Sequence, residues 1–188
     1  MSVSDVTVDC QTYRSVMGLW PTGVSVVTGR NAEGEDFGLV IGSFASVSME
    51  PPLVSFCPQK TSASWLEMRK TKSLCINFLS EFQNALCWKF ATGDIRGRFA
   101  DVACTRSNDG VAWLPECTAW VDVDVEREIE AGDHWIVLCR VKAMRKGDSE
   151  LPMSFVKGKL CKSQPIFQPA DDRLGEWEAS INSMFYPF

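Results

Sequence analysis

The sequence predicts a mainly β protein, an antiparallel barrel carrying a few peripheral helices. Three observations lead there. Apolar, β-branched runs outnumber segments of helical spacing. Short turns containing Gly, Pro, Asn or Asp join those runs, which argues against parallel βαβ winding. One segment alternates valine with acid: Val121, Val123 and Val125 against Asp122, Asp124 and Glu126. The length of 188 residues lies within roughly 100–200 residues, the range of one domain. A domain of that size buries about 70% of its unfolded surface and needs no disulfide or metal staples.

Each element follows from a local pattern. Tyr13, Val16, Met17 and Trp20 recur at steps of three and four and predict a helix over 10–19. Pro21-Thr22-Gly23 ends it, and 24–28 reads as a strand. Residues 31–36, rich in Gly and acids, form a hairpin turn into a second strand at 37–44. Pro51-Pro52 breaks the chain, and 53–57 reads as a third strand buried on both faces. Ser or Thr caps a short helix at 63–68. A buried strand at 74–79 precedes a helix at 81–91. The valine–acid alternation predicts a half-solvated strand at 119–126, Gly132-Asp133 turns it into a strand at 134–141, and 151–155 adds one more. The barrel domain is expected to span 1–162. Beyond it, 163–188 is expected to be a tail whose Trp177, Ile181, Met184 and Phe185 pack on the barrel or on a partner subunit.

Charge and composition exclude several functions. Hydrophobic residues make up 45% and charged residues 23%, ordinary globular usage. The net charge of −5 comes without a basic cluster, so nucleic acid is not an expected partner. No apolar run approaches the ~18 residues of a membrane span. The start, Met-Ser-Val-Ser-Asp, lacks the basic and apolar regions of a secretory signal, so a cytoplasmic location is expected. The eight cysteines contain no C-x-x-C pair, and His134 is the only histidine, so ordinary zinc patterns cannot be built. Cysteines inside apolar runs, such as Cys57, Cys75 and Cys139, read as reduced, buried small hydrophobes. No G-x-G-x-x-G or G-x-x-x-x-G-K-[ST] occurs, which disfavours Rossmann and P-loop nucleotide binding. No G-x-S-x-G accompanies His134.

What remains is a set of turns rich in hydroxyls and glycine: Pro21-Thr22-Gly23-Val24, the stretch from Gly42 and Ser43 to Ser46-Val47-Ser48, and Lys60-Thr61-Ser62-Ala63-Ser64. The last offers a cation, three hydroxyls and free amides at a helix start, the parts of a phosphate cradle. Taken alone the signal is weak, because Ser or Thr before a helix is usually only a cap.

In order along the chain stand Tyr13-Arg14-x-x-Met17-Gly18, Pro21-Thr22-Gly23-Val24-x-Val26-Val27-Thr28, and Gly38-x-x-x-x-Ser43-Phe44-x-Ser46-Val47-Ser48-x-x-Pro51-Pro52-Leu53-Val54. Asn77-Phe78-Leu79, Arg98-Phe99-Ala100, Gly132-Asp133-His134 and Phe155…Gly158 follow. This series resembles the flavin reductase component of two-component flavin-dependent monooxygenases, a family with the FMN-binding split-barrel fold. The resemblance covers nearly the whole chain, from Tyr13 to about Leu160. It implies a homodimer that passes a hydride from NADH or NADPH to FMN or FAD, with the reduced flavin then leaving for a separate monooxygenase. It places Phe37, Gly38, Leu39, Val40, Gly42, Ser43, Ser46, Val47 and Ser48 beside the flavin ring. Cys57, Pro58, Gln59, Lys60, Thr61, Ser62, Ala63 and Ser64 then wrap the ribityl chain and phosphate, while Ala91 and Arg98 reach the flavin tail. His134 and Phe155, Val156, Lys157 and Gly158 fall on the nicotinamide side, His134 as the one catalytic contact.

The chemistry implied asks for few titratable groups, because the cofactors carry the hard step and the protein stacks and orients two flat rings. The chain departs from the family pattern at Val40-Ile41-Gly42-Ser43, where two hydroxyls common in relatives are missing. A non-catalytic flavin carrier on the same barrel is the alternative, and an oxidase of the pyridoxamine-phosphate type shares the fold without this motif series. The nicotinamide-side residues separate enzyme from carrier.

Overall fold

A computed structural model describes residues 8–149 and 151–164. The expected tail stripe of Trp177, Ile181, Met184 and Phe185 lies outside the described residues. The first helix, α1 (Cys10–Met17), starts where the Asp9 carboxylate accepts from the Thr12 N–H at 2.6 Å. That bond satisfies one of the orphan donors of its first turn. The helix buries no residue, and its apolar stripe is exposed (Tyr13 58%, Val16 58%).

A two-residue strand, β1 (Thr22–Gly23), leads into the hairpin of β2 (Ser25–Arg30) and β3 (Asp36–Ile41). Asn31 closes that turn: its side-chain oxygen accepts from the Glu35 N–H at 2.8 Å, and Gly34 supplies the left-handed residue (φ +83). The expected strand at 37–44 stops at Ile41. The tract read as a hydroxyl-rich turn is instead a strand, β4 (Ala45–Met49), paired with β5 (Pro52–Phe56). Ladder bonds to β5 outweigh the turn preference of its serines. The third strand is also not buried on both faces: Val54 and Phe56 are buried, whereas Leu53 and Ser55 are half-buried. Helix α2 (Ala63–Met68), strand β6 (Ser73–Phe78) and helix α3 (Asn84–Thr92) follow as expected. A small hairpin that the sequence did not disclose, β7 (Thr105–Arg106) with β8 (Ala112–Trp113), comes next.

The longest elements are β9 (Ala119–Ala131) and β10 (His134–Lys146), joined by Gly132-Asp133. Gly132 has φ +61 and Asp133 does not leave the negative region, the pattern of a type II′ hairpin turn. The strand at 119–126 is half-solvated only toward its end, where Asp124 is half-buried and Glu126 exposed. Asp122 is buried beside its valines because the Trp113 indole covers that face, donating from Nε1 to Asp122 at 2.8 Å and stacking on Trp120. A last hairpin, β11 (Met153–Val156) with β12 (Lys159–Lys162), turns through Lys157-Gly158 (φ +51 and +75) and pairs with β1.

Seven strands form one antiparallel sheet in the order β3-β2-β6-β9-β10-β5-β4. Its edges are β3 and β4, yet only residues 42–44 separate these two strands in the chain. Four Cα steps of 3.8 Å span at most about 15 Å. A flat seven-stranded sheet would hold its edges about 29 Å apart at ~4.8 Å per strand. The sheet must therefore curl until the end of β3 comes near the start of β4, and the expected barrel fold is borne out. The interior holds Phe37, Phe56, Trp65, Met68 and Ile76, with Phe56 and Trp65 edge-to-face at 5.4 Å. A second cluster under α3 centres on Phe90 and Leu114. Phe90 fits only because position 38 is glycine, since a Cβ there would stand 2.5 Å from its ring. Among the described residues, no helix is long and apolar enough to cross a membrane.

Candidate active site

The seam where the end of β3 comes near the start of β4 opens into a cleft of about 780 Å³, a volume ordinary for a cofactor site. One wall is the end of β3 and its link to β4: Leu39, Val40, Ile41, Gly42 and Ser43. Opposite lie Cys57, Pro58, Gln59 and Ser62, from the segment after β5. Ser43 ties these two walls together, since its hydroxyl accepts from the Cys57 N–H at 2.9 Å. Helix α3 gives Cys87, Trp88, Phe90 and Ala91, and Arg98 follows. The remaining rim is Met17, Gly18, Trp20, Thr22 and Val24 with Phe155, Gly158, Leu160 and His134.

Thirteen residues singled out from sequence thus share one cleft: Leu39, Val40, Gly42, Ser43, Cys57, Pro58, Gln59, Ser62, Ala91, Arg98, His134, Phe155 and Gly158. The others lie off its wall. Phe37 is buried in the core and Gly38 beneath Phe90. Ser46, Val47 and Ser48 sit on β4, with Val47 50% exposed. Thr61 and Ala63 are exposed, Val156 is half-buried, and Lys157 donates from its backbone N–H to the Gly18 carbonyl at 2.8 Å. Sequence reasoning missed Met17, Gly18, Trp20, Val24, Ile41, Cys87, Trp88, Phe90 and Leu160, and it left Thr22 without a role. Trp88 was within reach, because it stands one helical turn before Ala91.

Arg98 dominates the electrostatics. Its Nη1 donates to the Gly38 carbonyl at 2.8 Å and to Ser64 Oγ at 2.9 Å, and its Nε donates to the Gly93 carbonyl at 3.1 Å. Ser64 is itself buried and so acts from behind the wall. Among the described residues no carboxylate lies within ion-pair distance of Arg98, and its Nη2 has no acceptor. Burial lowers its pKa from the ordinary value, with Asp94 opposing. A partly desolvated cation held only by neutral oxygens is a seat for an anion.

Lys60 is spent differently. Its ammonium pairs with Glu130 and lies 5.6 Å from the centre of the Trp135 ring. The bond from Lys60 holds the Glu130 carboxyl below its usual range. The Ser62 hydroxyl accepts from the Trp65 N–H at 3.3 Å as the cap of α2, so the capping role read from sequence is present.

The β9–β10 tip is pinned to the segment after β5 by two backbone bonds of 2.9 Å, Lys60 N–H to the Asp133 carbonyl and Trp135 N–H to the Pro58 carbonyl. This sets His134 at the cleft. Its Nδ1 lies 2.7 Å from the Asp133 carboxylate, and the bond from His134 lowers the Asp133 pKa. An ionised Asp133 accepts, so Nδ1 carries the proton and Nε2 is left to face a ligand. Burial pushes the Cys57 thiol up, with the Ser43 hydroxyl opposing, so it is no thiolate nucleophile.

The residues present fit a flavin. The ring side of the cleft is apolar and carries no side chain at Gly42, while an uncompensated guanidinium stands ready for a phosphate. Residues 17–164 match the model of the flavin reductase like domain. The chain belongs to the flavin reductase-like family. It is similar to a flavin reductase of Pseudomonas putida, 36% identical over 151 residues that cover 80% of this chain and 88% of that one. It is also similar to the reductase subunit HsaB of a flavin-dependent monooxygenase from Rhodococcus jostii (strain RHA1), 34% identical over 164 residues that cover 87% and 83%. Among solved structures, nitrilotriacetate monooxygenase component B from Mycobacterium thermoresistibile superposes with a TM-score of 0.80 at 30% identity, over 86% of this chain and 90% of that one. The flavin reductase reading of the motif series, its fold and its expected reductase activity are borne out.

Proposed function

We propose that this flavin reductase-like chain is an NAD(P)H:flavin oxidoreductase that binds FMN or FAD at the barrel seam and hands reduced flavin to a separate monooxygenase component. One observation carries the site assignment: a single cleft joins an apolar ring wall, an uncompensated Arg98 and an oriented His134. When bound, the flavin supplies the ring that accepts hydride from the nicotinamide. Arg98, with Nη2 unbonded among the described residues, would hold the flavin phosphate. Leu39, Val40 and Gly42 form the flat wall that fixes the ring plane. The segment from Cys57 to Ser62 borders the ribityl chain. His134, its Nδ1 engaged by Asp133, would contact the nicotinamide carboxamide and help orient the second ring. These groups bind and orient. None of them needs to act as nucleophile.

The flavin carrier has no comparable support, since it gives the tip holding His134 no task. Two copies of the chain are proposed to pair across α1 and the residues that follow it, where Tyr13, Val16, Met17, Leu19 and Trp20 are exposed and Met17 and Trp20 line the cleft. The protein is proposed to work in the cytoplasm. Consumption of NADH and of NADPH, measured with FMN, FAD and riboflavin in turn, tests the reading and fixes the preferred pair. Sedimentation at micromolar concentration tests the dimer. Flavin binding without nicotinamide oxidation under any pairing would leave only the carrier, and a monomer of full activity would remove the dimer.

A further inference from the structure

We propose that Thr22 is a ring-contacting residue of the cleft, its hydroxyl standing where a side chain at position 42 would otherwise reach. The proposal rests on the flavin reading above. Thr22 lies on β1, which pairs with β11 in the register Thr22↔Phe155 and Gly23↔Ser154, and this holds it against the link that closes the barrel. A Cβ built on Gly42 would stand 2.8 Å from Thr22 Oγ1, closer than real Cβ atoms approach. The next atoms are at ordinary contact, the Thr22 Cβ at 3.6 Å and the Gly23 carbonyl at 3.7 Å. The empty place at 42 is therefore filled by one atom, the hydroxyl of Thr22.

Thr22 is half-buried and, among the described residues, its hydroxyl forms no hydrogen bond, although Thr22 and Gly42 both line the cleft. A hydroxyl both donates and accepts, which suits a flat ring whose edge carries carbonyl oxygens and an N–H. The ring wall reads Leu39, Val40, Ile41 and Gly42 and offers no side-chain hydroxyl before Ser43, which is occupied with Cys57. Thr22 supplies from β1 the polar contact that β3 lacks at this point.

The test is a set of equilibrium titrations of flavin fluorescence with FMN and with riboflavin, which lacks the phosphate, alongside thermal melts. Thr22→Val keeps shape and strand preference but loses the hydroxyl. It should weaken both ligands by about 3–10-fold, the range of one hydrogen bond, with an unchanged melting temperature. Thr22→Ser should stay within about 2-fold of wild type. Gly42→Ala should mimic Thr22→Val by displacing the hydroxyl. In a Thr22→Ala background the same Gly42→Ala change should add no further loss, because the crowded atom is gone. Unchanged binding by Thr22→Val, a loss confined to FMN, or full additivity of Thr22→Ala with Gly42→Ala would each overturn the proposal. Should a single variant fail to fold, the Thr22→Ala and Gly42→Ala cycle decides alone. Wild type that takes up neither flavin would defeat the site reading itself, whereas wild type that binds both beside an unaffected Thr22→Val defeats only the role of Thr22.

Discussion

Sequence reasoning set Lys60 at the flavin phosphate and Arg98 at the flavin tail, and the barrel treats these two cations in opposite ways. Arg98 is drawn partly out of water and fixed by three bonds to neutral oxygens. Among the described residues, no carboxylate reaches ion-pair distance of it. Lys60 meets Glu130 at the tip of β9 and shares the face of Trp135 with Arg69, whose guanidinium lies 4.5 Å from the ring centre. The difference teaches that a basic residue near a helix start is a ligand group only when nothing on the protein has already neutralised it. A surface pair such as Lys60 with Glu130 contributes little to stability. Its consequence is that Lys60 is not free for phosphate.

The strongest challenge to this contrast is Arg98→Ala. It should weaken FMN binding by about 100-fold, as charge-assisted bonds to phosphate are lost, while riboflavin binding changes far less. Arg98→Lys should recover only part, because a point charge cannot hold Gly38, Ser64 and a phosphate at once. Equal losses for FMN and riboflavin would show that Arg98 merely props up the barrel. Next in size, His134→Ala should slow flavin reduction by NADH about 10–100-fold in stopped flow, a loss of roughly 1.4–2.7 kcal/mol of transition-state stabilisation, with flavin affinity retained. Wild-type rates in that variant would make His134 a turn residue. Lys60→Ala should cost FMN affinity less than about 3-fold, since its charge is already answered by Glu130. A loss matching that of Arg98→Ala would erase the distinction drawn here. The smallest effect concerns Cys57. With its thiol pushed up by burial, iodoacetamide at pH 8 should modify it several-fold more slowly than exposed Cys10. FMN should slow it further, and mass spectrometry of the two peptides reads both rates.

The sequence disclosed the barrel because β-branched runs at 24–28 and 74–79 and the turn signals at Gly34 and Gly132 act locally. It misread 45–49, where serines favour turns in isolation but pair with β5 in the fold. It misplaced the environment of Asp122, because only tertiary structure brings Trp113 onto that strand. The cleft was legible in Leu39, Val40, Cys57, Pro58 and Arg98 through the motif series. It was not legible in Trp20 or Leu160, which converge from segments far apart in the chain and carry no shared pattern. Lys60 shows the same limit in electrostatics: composition shows a charge, and only geometry shows its counter-ion.

The strand order of the barrel also predicts an order of events during folding. Strands β3, β2 and β6 form one three-stranded piece and β5 with β4 another, and the long hairpin of β9 and β10 inserts between them. That hairpin is local and closes early, whereas its docking onto β6 and β5 brings together residues far apart in sequence and is slower. A nascent chain that has not yet produced residues 119–146 already owns Leu39, Ser62 and Arg98 but cannot hold them around a common space. Cofactor uptake during refolding should therefore lag behind the appearance of β structure and coincide with the last joining of strands, so the flavin reports on completion of the barrel and cannot nucleate it.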